Sequence, residues 1–131
     1  MRRRNPTRPM TACERGAWID AEGSIMAYPE KGDYRIDITQ ATSEVTALHD
    51  YCEGARLDGV TCEVKRMAKK PWVSYVRIGR VEDVAKEIKL TKNWIRTPRK
   101  IAQIERFKAV LHRPKIRRRA EIIRAIKILE E

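Results

Sequence analysis

Hydrophobic positions along the chain alternate between two periods, and each switch marks an element. In residues 34–42 the period is two, with Ile36 and Ile38 on one face and Arg35, Asp37 and Thr39 on the other. This predicts a strand, paired with a shorter one at 24–28 across a turn at 29–33 that holds Pro29, Gly32 and Asp33. The period then becomes helical, with Val45, Leu48, Tyr51, Cys52 and Ala55 on one face, from a cap at Thr42 or Ser43 to about Arg56. Asp58-Gly59 turns the chain back to a period of two. Val60, Cys62 and Val64 alternate with Thr61, Glu63 and Lys65, and a turn follows at 68–71. The return strand, 72–79, sets Val76 and Ile78 inward and Tyr75 and Arg77 outward.

Three helices close the chain. Residues 81–89 carry Glu82 and Asp83 in the first turn, where the helix dipole prefers acids. Thr97-Pro98 opens the next as N-cap and first helical residue, with Ile101, Ile104, Phe107, Ala109 and Leu111 as its stripe. Arg113-Pro114 breaks it, and residues 115–129 form a basic helix carrying Ile116, Ala120, Ile123, Ile126 and Leu129. Ahead of the first strand, Thr11 with Glu14 three residues later is a capping box, and Gly23 is a left-handed stop. The order is αββαββα with extra C-terminal helices, an α+β domain in which a strand–turn–strand–helix unit occurs twice.

The first helix holds residues that helix stability alone does not favour. Gly16 and Ala17 lie mid-span, where glycine is destabilising unless something packs close against the backbone. Asp20 and Glu22 crowd the negative end of the dipole, which needs a cation or a donor to offset them. The stretch Arg15-Gly16-Ala17-Trp18-Ile19-Asp20-Ala21-Glu22-Gly23, continued by Ser24-Ile25, resembles the motif of the LAGLIDADG homing endonucleases. The match is closest in Ile19-Asp20-Ala21-Glu22-Gly23-Ser24. In the first half, Arg15 replaces an apolar residue and Gly16 and Ala17 exchange the usual small pair. With the element order, the resemblance covers residues 11–111. It implies a curved antiparallel β-saddle and, with one motif in a short chain, a homodimer whose motif helices pack at Gly16, Ala17 and Asp20 across a two-fold axis.

Charge agrees with a polyanionic partner. The net charge is +11, and residues 96–131 hold 12 Lys/Arg against 4 Asp/Glu, so the basicity is concentrated there and in the first ten residues, which carry four arginines and no acid. Residues 1–10 read as a basic arm and 11–131 as one domain. Cys13, Cys52 and Cys62 form neither a disulfide framework nor a metal-ligand pattern, which predicts an intracellular, reducing compartment (cytoplasm, nucleoid or organelle). No apolar run has membrane-spanning length, and the N-terminus lacks the apolar core of a signal peptide.

The resemblance implies Mg²⁺-dependent, site-specific cleavage of both strands of a long pseudo-palindromic DNA, leaving short 3′ overhangs, by an intron- or intein-associated enzyme. It makes Glu22 the metal ligand, with the Ala21 backbone carbonyl as a further one, and Ca²⁺ a substitute that does not support cleavage. It makes Gln40 the residue that orients the attacking water. The family's lysine ahead of the helix after the second unit falls on Pro98 here. Arg96 or Lys100 replaces it, and with Arg99 they set three cations at a helix N-terminus, an arrangement that calls for a bound anion. Base readout falls to Met26, Tyr28, Arg35, Asp37, Glu63, Lys65, Tyr75 and Arg77 on the outward strand faces, arginine favouring guanine and the acids accepting from cytosine. Arg117, Arg118 and Arg119 fit phosphate contacts. Pro98, and Glu44 where a basic residue is usual, leave an alternative: a cleavage-deficient DNA- or RNA-binding module of the same fold, such as an intron maturase or a transcription regulator.

Overall fold

The structure, a computed structural model, describes residues 8–113 and 119–131. Helix α1 (Ala12–Glu22) begins at the predicted capping box: the Glu14 amide donates to Thr11 Oγ1 at 3.2 Å, and the Thr11 amide donates back to Glu14 Oε1 at 3.2 Å. Its end differs from expectation. Gly23 is extended (φ −84°, ψ 166°) and starts β1 (Gly23–Tyr28) directly. Glycine is required there for space, because a Cβ would lie 2.8 Å from the Ile19 carbonyl oxygen.

A 3-10 turn (Pro29–Lys31) and Gly32 at φ 64° reverse the chain into β2 (Asp33–Ala41). A second 3-10 turn (Thr42–Glu44) precedes α2 (Val45–Leu57), whose N-terminus has no side-chain cap. Thr42 is drawn away: its hydroxyl lies 2.8 Å from the Pro71 carbonyl and 2.9 Å from Ser74 Oγ, tying the two strand pairs together. Next come β3 (Glu63–Arg66), β4 (Val73–Ile78), α3 (Val81–Thr91), α4 (Pro98–Leu111) and α5 (Arg119–Glu130). Val60 and Cys62 are buried as their alternation predicts, yet ladder pairing starts only at Glu63.

The four strands form one antiparallel sheet in the order β1-β2-β4-β3. One face is the core: Ile25, Ala27, Tyr34, Ile36, Ile38, Val76 and Ile78 are all at most 5% exposed. Helices α1, α2 and α3 cover it, and α5 packs on α3. Helix α4 runs beside β1, where Gln103 Oε1 accepts the Ile25 amide at 2.9 Å and blunts that sheet edge. The other face carries the half-exposed alternate residues.

The two C-terminal stripes hold in part: Ile104, Phe107 and Leu111 of α4 are buried as predicted, and Ile126 and Leu129 of α5 are half-buried against the core. In α4, Ile104, Phe107, Val110 and Leu111 are buried while Ile101 and Ala109 are exposed. In α5, Ile122 and Ala125 are buried while Ala120 and Ile123 are exposed. Helix α4 packs against β1 and α5, and α5 against α3 and α4, so the rest of each stripe is set by partners that periodicity does not name. Ile116 lies outside the described residues.

Arg15, in a position where the motif usually has an apolar residue, is fully buried. It donates to Glu87 through Nε (3.0 Å) and Nη2 (3.1 Å), to Asp58 Oδ2 (2.7 Å) and to the Met10 carbonyl (2.9 Å). The Tyr51 hydroxyl donates to Glu87 Oε2 at 2.6 Å. Burial opposes the charge on Arg15, but Glu87 and Asp58 outweigh it and raise its pKa. Burial and the Glu87 carboxylate push the Tyr51 phenol well above its ordinary range. Cys52 and Cys62 also meet in the core, thiol to thiol, and that contact with burial pushes Cys62 up.

Candidate functional site

The end of α1 separates its two acids chemically. Asp20 Oδ1 accepts the Arg96 amide (3.0 Å), the Thr97 amide (2.8 Å) and the Thr97 hydroxyl (2.9 Å). These bonds, that from the Thr97 amide first, hold its carboxyl below the usual range, and Lys100 acts in the same direction. Thr97 is the N-cap of α4 and Pro98 its first residue, as predicted, but the Thr97 side chain serves Asp20 instead of the helix. Asp20 is the answer to its own cost at the dipole: it docks the start of α4 onto the end of α1.

Glu22 is different. It is exposed, and among the described residues no hydrogen bond or ion pair reaches it. It shares a cavity of about 280 Å³ with Ala17, Trp18, Ala21 and Gln40. Gln40 has the parity of the buried residues of β2, but it lies one alternation past Ile38, beyond the core, so its side chain comes to the end of α1. Glu22, Ala21 and Gln40 thus line one cavity, and Arg96 and Lys100 stand at the same end of α1 through Asp20.

The exposed face of α1 is a stripe of small residues, Cys13, Ala17 and Ala21, four apart and flanked by half-buried Trp18. Gly16 is not on it. It is buried, and a Cβ there would stand 2.8 Å from Trp94 Cβ and 2.9 Å from the Thr91 carbonyl oxygen. The close approach expected of Gly16 at a dyad is therefore made inside the chain, against the segment following α3.

All eight strand residues predicted to read bases lie on the sheet's outer face, in register. Met26 is opposite Arg35, Tyr28 opposite Asp33, and Asp37 opposite Arg77, which is opposite Glu63; Tyr75 is opposite Lys65. The face is not a bare basic surface. Arg77 pairs with Asp37 at 2.8 Å, Lys65 with Glu63 at 3.2 Å, and Arg35 lies 3.7 Å from Asp37 and 3.8 Å from Asp33. Both oxygens of Asp37, the acid expected to accept from cytosine, already accept from Arg77. Exposed cations flank the face instead, Lys69 and Lys70 in the β3–β4 turn, with no ion pair among the described residues. Arg99 is exposed in the first turn of α4. Arg119 is exposed at the start of α5, where Glu121 lines a cleft with Lys31, Asp33 and Arg80 that brings this end of α5 to the β1–β2 turn. Arg117 and Arg118 lie outside the described residues.

Sequence reasoning missed the Arg15–Glu87 network and the donors on Asp20. The signal for the first was present: a cation in an apolar motif position, and an acid beside the apolar stripe of α3. Neither names its partner.

Among the described residues no group of three His, Cys, Asp or Glu side chains could hold a metal, and no helix is long and apolar enough to cross a membrane. No family model and no curated protein sequence matches the chain. Among solved structures, the chain is similar to the group I intron-encoded homing endonuclease I-CeuI complexed with DNA, with a TM-score of 0.61 at 13% identity over 81% of this chain. The match spans 56% of that protein's chain. At this identity the likeness is one of architecture, and it agrees with the motif helix, the element order and the sheet: the chain has the α+β fold of a LAGLIDADG homing-endonuclease domain.

Proposed function

We propose that the chain is a Mg²⁺-dependent, site-specific DNA endonuclease that acts as a homodimer through α1. The observation that carries this is the division of labour at the end of α1. Asp20 is consumed inside the chain, whereas Glu22 is left exposed and unpaired among the described residues, in one cavity with Gln40 and beside the small-residue face.

Two copies meeting along Cys13, Ala17 and Ala21 bring their backbones close, because small side chains keep helices near each other. The two Glu22 carboxylates then converge at the dyad, and their repulsion makes the pair a cation site. One chain supplies only Glu22 and the Ala21 carbonyl, which suits Mg²⁺, an ion bound through one or two carboxylates plus substrate phosphates. When bound, it supplies charge stabilisation and an acidified water for phosphodiester hydrolysis. The chain's own residues do the rest: Gln40 orients water at the scissile phosphate, Arg96 and Lys100 offset phosphate charge, and the sheet's outer face lies in the major groove. The flanking cations, Lys69, Lys70, Arg99 and Arg119, contact phosphates and make binding salt-dependent.

The test is a cleavage selection on randomised duplexes by the wild type and Glu22→Gln, in Mg²⁺, in EDTA and, for binding alone, in Ca²⁺. Discrete cuts in Mg²⁺ that vanish in EDTA and in Glu22→Gln are the expected result. Tight sequence-selective binding without cutting in any divalent metal overturns the enzyme reading in favour of a binding module, with intron RNA as the next ligand to try. A monomer at micromolar concentration in sedimentation overturns the shared site.

A further inference from the structure

The outer face of the sheet holds three cations in the ladder, and only one of them is locked. Arg77 donates Nε to Asp37 Oδ1 at 2.8 Å and Nη2 to Asp37 Oδ2 at 2.9 Å, across the β2–β4 pairing. Its guanidinium carbon stands 4.8 Å from the centre of the Tyr75 ring. The Asp37 side chain is 15% exposed and the Arg77 side chain 34%, so the acid lies beneath and the cation above. Arg35 has no such anchor: its contacts are 3.7 and 3.8 Å long, and its Nε makes no hydrogen bond among the described residues. Lys65 is a flexible point charge paired with exposed Glu63.

A guanidinium has five N–H donors in a planar fork. Asp37 occupies the edge formed by Nε and one Nη2 hydrogen. The terminal edge, one hydrogen on each of Nη1 and Nη2, is left over, with no hydrogen bond among the described residues, on a side chain that is 34% exposed. Two parallel donors at that spacing match the O6 and N7 acceptors of guanine in the major groove. A reader fixed before it meets DNA loses little side-chain freedom on binding, which an unanchored arginine does not avoid.

We propose that Arg77 is a guanine-reading residue of this sheet, and that Asp37 and Tyr75 are positioning residues that aim it. This rests on the DNA-binding reading above. In a homodimer, it places a G·C pair at one symmetric position in each half-site of the target. Asp37, an acid that could otherwise accept from cytosine, specifies guanine through its partner.

The experiment is a binding selection with the full chain on randomised duplexes in Ca²⁺, followed by titration of the selected duplex and of one carrying A·T at the assigned position. Arg77→Ala is expected to weaken the selected duplex about 10- to 100-fold and to flatten that one position per half-site. Arg77→Lys keeps the charge and loses the same discrimination, which separates base reading from nonspecific attraction. Asp37→Ala weakens the selected duplex by a smaller factor, leaves the A·T duplex unchanged, and adds nothing in the Arg77→Ala background. Tyr75→Phe retains discrimination and Tyr75→Ala reduces it. A selected sequence in which Arg77→Ala flattens no position overturns the inference and leaves DNA binding standing. An effect of Asp37→Ala at a different position makes Asp37 a reader itself and overturns its positioning role. No enrichment by the wild type overturns both the inference and the reading beneath it.

Discussion

Arg15 and Glu87 form a two-pronged ion pair, at 3.0 and 3.1 Å, with both side chains entirely out of solvent. It clamps the motif helix to α3, and Tyr51 of α2 joins it through a 2.6 Å hydrogen bond, so three helices meet at one carboxylate. Breaking a buried pair leaves an uncompensated charge. Glu87→Ala is therefore expected to destabilise the fold by about 3–5 kcal/mol. The triple variant Arg15→Leu, Glu87→Leu, Tyr51→Phe removes the buried ion pair and the phenol hydroxyl together, leaving only the Met10 carbonyl and the solvent-accessible Asp58 without their Arg15 donor, and is expected to recover most of that loss. Denaturant midpoints of the three proteins check this. A triple variant no more stable than Glu87→Ala would show that the network is needed for packing and not only for charge balance.

Gly54 has a different reason to be glycine. It lies inside α2, where alanine ordinarily gains about 1 kcal/mol. Here a Cβ would collide with the Met10 carbonyl oxygen, because residues 8–10 cross the helix at this point. The crossing is held by the Met10 amide on the Asp50 carbonyl at 3.0 Å and the Arg8 amide on Asp50 Oδ1 at 3.2 Å. Gly54→Ala is expected to leave α2 intact and lift this segment. Hydrogen exchange reads it directly: the Met10 amide should lose protection while amides in the middle of α2 keep theirs.

These two sites mark where sequence reading ends. The strands, their faces and the helix order were legible because a period of two and a period of 3.6 are local properties, and Ile36, Ile38, Val76 and Ile78 sit where alternation puts them. The gathering of Glu22, Ala21 and Gln40 followed from the motif and from one strand end. Partners across long separations were not legible. Glu87 lies 72 residues from Arg15, and nothing local pairs them. Gly16 was rightly read as a point of close approach, but whether its neighbour belonged to the same chain depended on Trp94, 78 residues on by number. Asp37 was read as an outward acid, correctly, and its capture by Arg77 depended on the register of β2 against β4.

Gly16 gives the next prediction. The atoms a Cβ would meet are the Trp94 Cβ and the backbone oxygen of Thr91, neither of which is the far end of a flexible chain. Gly16→Val is expected to destabilise the protein by about 1–3 kcal/mol through overpacking. The α1 face at Ala17 and Ala21 points elsewhere, so the dimer dissociation constant at equal folded fraction should stay within about twofold. Sedimentation of the variant at several concentrations tests this. A variant that folds as stably as wild type but no longer dimerises would return Gly16 to the subunit interface.

Asp20 supplies the pH dependence. Its carboxylate is held below the ordinary aspartate value of 3.8 by the Thr97 and Arg96 amides and the Thr97 hydroxyl. A group whose folded pKa is depressed contributes stability that is fully present above its unfolded pKa and disappears as pH falls through the folded one. Asp20→Asn keeps an acceptor oxygen and loses the charge, so the variant should be less stable than wild type at pH 7 and at pH 5 by the same amount. Below about pH 4 the wild type begins to lose the advantage and the two should converge. Glu14, also depressed by its Arg8 pairing, is common to both proteins and cancels in the difference. Urea midpoints at pH 7, 5 and 3 provide the measurement. A gap that stays constant down to pH 3 would mean that the charge of Asp20 does not hold the start of α4, and that Arg96 and Lys100 are placed at the end of α1 by other contacts.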